Sequence, residues 1–117
     1  MAALKQQRRC EGSLIWFEAR GEGIEGQRGV LDVARNRAEA SGKTLCEVVA
    51  EKGQFVWYKN NRILPLDEQK RDMRMAVAAH QKVLTSEKWF YSGPSPSWAN
   101  HMVCRVIGHL HFCKEKK

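Results

Sequence analysis

The sequence predicts a mainly α (α+β) protein: one domain with a small β component. Three observations lead there. Apolar residues recur at helical spacing over 10–19, 25–40 and 67–84. Alternating, aromatic-rich runs are confined to short stretches at 54–58, 89–91 and 103–112. The chain has 117 residues, the length of one domain, with no internal repeat and no linker that would divide it.

Residues 1–9 are polar and basic, with Lys5, Arg8 and Arg9, and are expected to be a flexible or partly helical lead-in. A first helix is expected over about Cys10–Ala19, with Cys10, Leu14 and Phe17 as its stripe, widened by Ile15 and Ala19. Gly21 and Gly23 then release the chain from helical geometry. A second helix should run from near Glu25 to about Ala40, with Gln27, Val30, Leu31, Ala34 and Ala38 inward and Ser41-Gly42 as its stop. Thr44 and Glu47 have the spacing of a capping box, opening a short helix through Val48, Val49 and Ala50 that ends at Gly53.

Gln54-Phe55-Val56-Trp57-Tyr58 alternates and reads as extended, and Asn60-Asn61 marks a turn. Asp67 caps the next expected helix, whose apolar stripe is Met73, Ala76, Val77, His80, Val83 and Leu84. On that stripe His80 reads as a core histidine. Trp89-Phe90-Tyr91 is strand-like, Ser92–Pro96 a loop and Trp98–His101 one helical turn. Val103–Ile107 and His109–Phe112, parted by Gly108, read as a strand or a small hairpin.

The formal charge of +7 favours anionic partners: nucleic acid, acidic lipid or an anionic polymer. No apolar run approaches the ~20 residues of a membrane span, so no stable membrane insertion is expected. Nor do Lys5, Arg8 and Arg9 lead into an apolar core and cleavage site, so synthesis in the cytoplasm is expected. The cysteines at 10, 46, 104 and 113 form no C-x-x-C pair and are too sparse for a disulfide scaffold. Cys10 and Cys46 fall on apolar helix faces and are expected to be buried free thiols. Cys104, His109, His111 and Cys113 have metal-ligand chemistry, but C-x4-H-x-H-x-C is not a recognised zinc spacing. No metal or cofactor is expected. A zinc-stabilised basic nucleic-acid-binding module is the alternative from another functional class.

The stretch Ile15-Trp16-Phe17-Glu18-Ala19-Arg20-Gly21-Glu22 stands apart. On a helix, Glu18 neighbours Leu14 and Ile15, so its carboxyl projects from an apolar face rather than a solvated one. Such a setting disfavours the charged form, which is how a glutamate keeps a proton and serves as a general acid. A surface glutamate paired with the nearby arginine is the plainer reading of the same pattern.

Cys10–Glu22 resembles the opening motif of the SleB-like cell-wall hydrolases, among them spore-cortex-lytic enzymes and bacteriophage endolysins. The resemblance continues through Gly26-Gln27, Asn36-Arg37, Cys46–Val49, Gln54-Phe55, Trp98-Ala99, Ile107-Gly108 and Phe112. It implies a lysozyme-like fold and a peptidoglycan-degrading glycosidase acting between N-acetylmuramic acid and N-acetylglucosamine. It matches Glu18 to the catalytic acid and implies a structural role for Asn36 and Arg37. Gln54, Tyr91 and Trp98 are the residues expected to line the sugar groove, and Glu22 and Glu25 are the candidates for a second carboxylate. One well-placed glutamate suits a lytic transglycosylase, whose nucleophile is the sugar's own C6 hydroxyl, better than a two-acid hydrolase. The chain departs from the family pattern at two histidine positions: Ser92 follows the aromatic pair, and Leu110 stands in the closing Ile-Gly-x-His-x-Phe motif. Together these features imply a compact, monomeric phage endolysin with peptidoglycan as its partner and no nucleic acid. It would be made in the host cytoplasm and act in the periplasm after release. A non-catalytic wall-binding domain is the remaining reading, and substitution of Glu18 separates it from an enzyme.

Overall fold

The computed structural model describes residues 2–51, 84 and 86–116. The segment expected to be extended at 54–58, the turn at Asn60-Asn61 and the body of the helix expected from Asp67 lie outside the described residues. Gln54 and His80 therefore lie outside them too.

Helix α1 (Ala2–Ala19) begins at Ala2 rather than near Cys10, so the basic lead-in is its first two turns. Ala2-Ala3-Leu4-Lys5-Gln6-Gln7-Arg8-Arg9 is made of strong helix formers with no glycine or proline. Propensity there continues a helix that burial stabilises further along. Helix α2 (Ile24–Ser41) ends where Gly42 turns left-handed at φ +69° and its N–H reaches the Ala38 carbonyl. Helix α3 (Leu45–Val49) opens on the expected capping box. The Thr44 N–H donates to Glu47 Oε1 at 2.8 Å, and the Glu47 N–H donates to Thr44 Oγ1 at 3.1 Å. The backbone hydrogen bond from Thr44, then its side chain, holds the Glu47 carboxyl below the usual glutamate range. The cap is therefore at full strength above the ordinary glutamate value and is lost as pH falls through the depressed one.

Three antiparallel strands follow: β1 (Trp89–Ser92), β2 (Met102–Ile107) and β3 (Leu110–Glu115), in the order β1-β3-β2. A 3₁₀ turn over Ser97–His101 leads into β2. Ile107 faces Leu110 across a two-residue turn that opens on Gly108 at φ +62°. A glycine at that place allows the tight hairpin.

Helix α2 is the pivot: it packs on α1 and α3 and also touches all three strands. The core joins Cys10, Leu14, Ile15 and Ala19 of α1 to Val30, Leu31, Val33 and Ala34 of α2, Val48 and Val49 of α3, Leu84, and Leu110 and Phe112 of β3. Gly29 is where helix and sheet come closest. A Cβ added there would sit 2.6 Å from the Phe112 ring, which is itself fully buried. Gly29→Ala should cost about 1–3 kcal/mol by overpacking, despite the better helix propensity of alanine. Chemical denaturation checks this; unchanged stability would mean that the Phe112 ring has room to move.

The polar residues of α2 fasten the fold. Asn36 donates to the Glu87 carbonyl at 2.9 Å, Asp32 accepts the Leu84 N–H at 3.2 Å, and Arg37 pairs with Glu51 at 3.0 Å. The structural role expected of Asn36 and Arg37 is thus visible as contacts. Buried Glu11 is matched by Arg35 at 2.6 Å.

The cysteines correct the expectation of free thiols. Cys10 is joined to Cys46, and Cys104 to Cys113. Apolar surroundings suit a disulfide as well as a thiol, so helical periodicity did not distinguish them. Tertiary folding decides the matter by bringing α1 and α3 together, with the Cα atoms of Cys10 and Cys46 5.6 Å apart across a sequence separation of 36. Cys104 and Cys113 are direct cross-strand partners in the β2–β3 register.

Candidate active site

Glu18 lies half-buried in the last turn of α1. The chain behind it is tightly held. The Ala19 carbonyl accepts the Glu22 N–H at 2.9 Å and the Gln27 side-chain amide at 3.5 Å. The same amide donates to the Glu22 carbonyl at 3.3 Å. Gln27, buried in α2, thus clamps the corner that carries Glu18. Arg20 places its guanidinium 4.9 Å from the centre of the Trp16 ring, a cation–π contact on the outer side of the same turn.

Glu22 is directed toward the sheet. Its Oε1 accepts the His109 backbone N–H at 3.1 Å, and its Oε2 lies 3.4 Å from His109 Nδ1. The fit leaves no room for side chains: a Cβ on Gly108 would lie 2.5 Å from Glu22 Oε1, and one on Gly26 would lie 2.9 Å from Glu22 Cβ. Glu22 therefore latches the β2–β3 turn to the corner between α1 and α2. Glu25, exposed in the first turn of α2, lines an open cleft of about 520 Å³ together with Glu22, Ile24, Ile107 and Gly108; Glu18 is not among the described residues that line it.

Two of the residues expected to bind sugar come together. Tyr91 and Trp98 meet edge to face, with ring centroids 5.7 Å apart. His111, paired with Tyr91 across β1 and β3, stacks on the Tyr91 ring at 4.5 Å. One face of Tyr91 is thereby covered, and Trp98, 40% exposed, presents the more open ring. No sequence spacing suggested His111 for this cluster, because its partner is set by strand register. Gln54 lies outside the described residues.

The zinc arrangement loses its cysteines: Cys104 and Cys113 are bonded to each other, His109 sits on the turn beside Glu22, and His111 stacks on Tyr91. Among the described residues no group of three or more His, Cys, Asp or Glu is placed to hold a metal ion. Among them, too, no helix is long and apolar enough to cross a membrane. The two departures from the SleB-like pattern prove to be one place. Ser92 lies directly opposite Leu110 in the β1–β3 register, and Leu110 is buried. The hairpin reads in frame, with Gly108-His109 as its turn.

The fold has close counterparts among solved structures. The catalytic domain of the germination-specific lytic transglycosylase SleB from Bacillus anthracis matches with a TM-score of 0.80 at 19% identity, over 94% of this chain and 95% of that one. The catalytic domain of the Bacillus cereus SleB protein matches with a TM-score of 0.78 at 20% identity, over 92% and 89%. At these identities the likeness is one of fold. No curated protein sequence matches the chain. The Cell Wall Hydrolase family matches residues 21–113, which take in the Glu22 latch, Gln27 and the whole sheet up to Cys113, and begin just beyond Glu18. With most of its length so matched, the chain belongs to the cell wall hydrolase family.

Proposed function

We propose that the protein cleaves the glycan strands of peptidoglycan between N-acetylmuramic acid and N-acetylglucosamine, as a lytic transglycosylase with Glu18 as its general acid and base. Membership of the cell wall hydrolase family supports a peptidoglycan-degrading activity. The observation that carries the finer reading is the commitment of Glu22. The second acid of the motif turns its carboxylate to the His109 turn, with Oε1 accepting the His109 N–H and Oε2 beside the His109 ring, and this structural use weighs against a role as the water-activating base. In the proposed route Glu18 donates its proton to the glycosidic oxygen as the bond to the anomeric carbon breaks. The carboxylate then takes the proton of the C6 hydroxyl, whose oxygen closes on the anomeric carbon to form a 1,6-anhydro ring. No second protein carboxylate enters.

Two disulfides suit a protein that works outside the reducing cytoplasm. Within this proposal the protein is an endolysin, made in the host cytoplasm and active in the periplasm, where its disulfides can form and persist. Mass spectrometry of the soluble products from purified peptidoglycan tests the chemistry. A transglycosylase yields anhydro ends, one water lighter than the reducing ends of a hydrolase. Products with reducing ends alone would replace this route with a two-acid mechanism and bring Glu25 forward as base.

A further inference from the structure

We propose that the cavity at the end of the sheet remote from Glu22 binds the acidic peptide stems of the wall polymer. The proposal rests on the peptidoglycan reading above. The Glu22 latch meets β3 at its start, beside the Gly108-His109 turn. At the opposite end a cavity of about 350 Å³ is lined by Ser86, Lys88, Trp89, Val103, Lys114 and Glu115. Among the described residues, none of the candidate catalytic residues lines it.

Its composition selects the ligand. Lys88 and Lys114 share one small space, and neither forms an ion pair among the described residues. Two lysine side chains bordering one cavity give it positive charge, and a carboxylate bound there offsets that charge and can gain charge-assisted hydrogen bonds. Trp89 and Val103, the latter 47% exposed, supply apolar wall for aliphatic segments. Glu115 offers an acceptor for an amine. A short peptide carrying carboxylates and a free amino group matches all three features, as the stems of peptidoglycan do. A phosphate backbone would meet the Glu115 carboxylate with nothing to offer it, and a neutral sugar has no use for two ammonium groups.

The backbone that carries the lining residues is held in place before any ligand arrives. The Lys88 N–H donates to the Cys113 carbonyl at 3.0 Å, and Lys114 lies opposite Val103 in the β2–β3 register. The Cys104–Cys113 disulfide ties those strands together one residue away. Such preorganisation lowers the ordering cost of binding.

Calorimetric titration of the full chain is the test. The probes are a synthetic stem tripeptide containing D-glutamate and a diamino acid, the same peptide with its carboxylates amidated, and a single-stranded hexanucleotide. The acidic peptide should bind, and the amidated one should bind at least ~10-fold more weakly, the loss expected for one charge-assisted hydrogen bond. Lys88→Gln with Lys114→Gln should weaken the acidic peptide by a similar factor with the melting temperature unchanged. Equal affinity for the two peptides, undiminished binding by the double variant, or tighter binding of the hexanucleotide would each overturn the proposal. Cleavage of peptide-free glycan by the unmodified protein tests the enzymatic reading separately. The titration decides on the pocket whether or not that glycan is cut.

Discussion

Glu18→Gln is expected to lower the rate of wall lysis by at least ~10²-fold while leaving the protein folded. The substitution keeps the shape of the side chain and its capacity for hydrogen bonds, and removes the proton that must be delivered to the leaving oxygen. The local structure argues that the fold will tolerate it: the corner around Glu18 is held by the Gln27 amide and by backbone hydrogen bonds at Ala19 and Glu22. Turbidity loss of outer-membrane-permeabilised cells, with circular dichroism as the folding control, measures the effect. A folded Glu18→Gln protein that lyses cells near the parental rate would end the assignment and favour a non-catalytic wall-binding role.

Removing the Cys10–Cys46 disulfide, as Cys10→Ala with Cys46→Ala, should destabilise the protein by about 4 kcal/mol if the crosslink acts on the entropy of the unfolded chain. That corresponds to a fall in melting temperature of roughly 15–25 °C. The bond closes a separation of 36 residues and joins the helix that carries Glu18 to α3, from fully buried Cys10 to partly buried Cys46 beside the core. The Cys104–Cys113 bond closes a separation of only 9, inside a hairpin already paired by its backbone. Its loss should cost less, about 2.5 kcal/mol on the same reasoning. The order of the two effects is the discriminating result. Thermal melts of the two double variants under non-reducing conditions provide it, and a larger loss from the hairpin bond would contradict the loop-entropy account.

The histidines and cysteines near the C-terminus show what kind of information the sequence lacked. Cys104, His109, His111 and Cys113 have the spacing of neighbours, which invited a common role as ligands. The strands give each a separate partner: the two cysteines take each other, His111 takes Tyr91, and His109 takes Glu22. Glu22 is the converse case. It was legible as an acid beside the candidate catalytic residue, but its partner lies 87 residues away in the chain.

What the sequence determined by itself was local. Helical periodicity gave α1 and α2 their buried faces, the Thr44–Glu47 spacing gave α3 its cap, and Gly42 gave α2 its end. The alternation near the C-terminus gave the strands, and the motifs from Gly26-Gln27 to Phe112 lie within the stretch that the family matches. These signals survive in one dimension because hydrogen bonds within a helix or turn connect residues three or four apart. The tertiary structure alone decided which distant groups meet: Cys10 with Cys46, Gly29 with Phe112, Glu22 with His109, and Ser92 with Leu110. Those pairings follow from how helices pack and strands register, and both depend on the whole core closing at once, which no short stretch of sequence encodes.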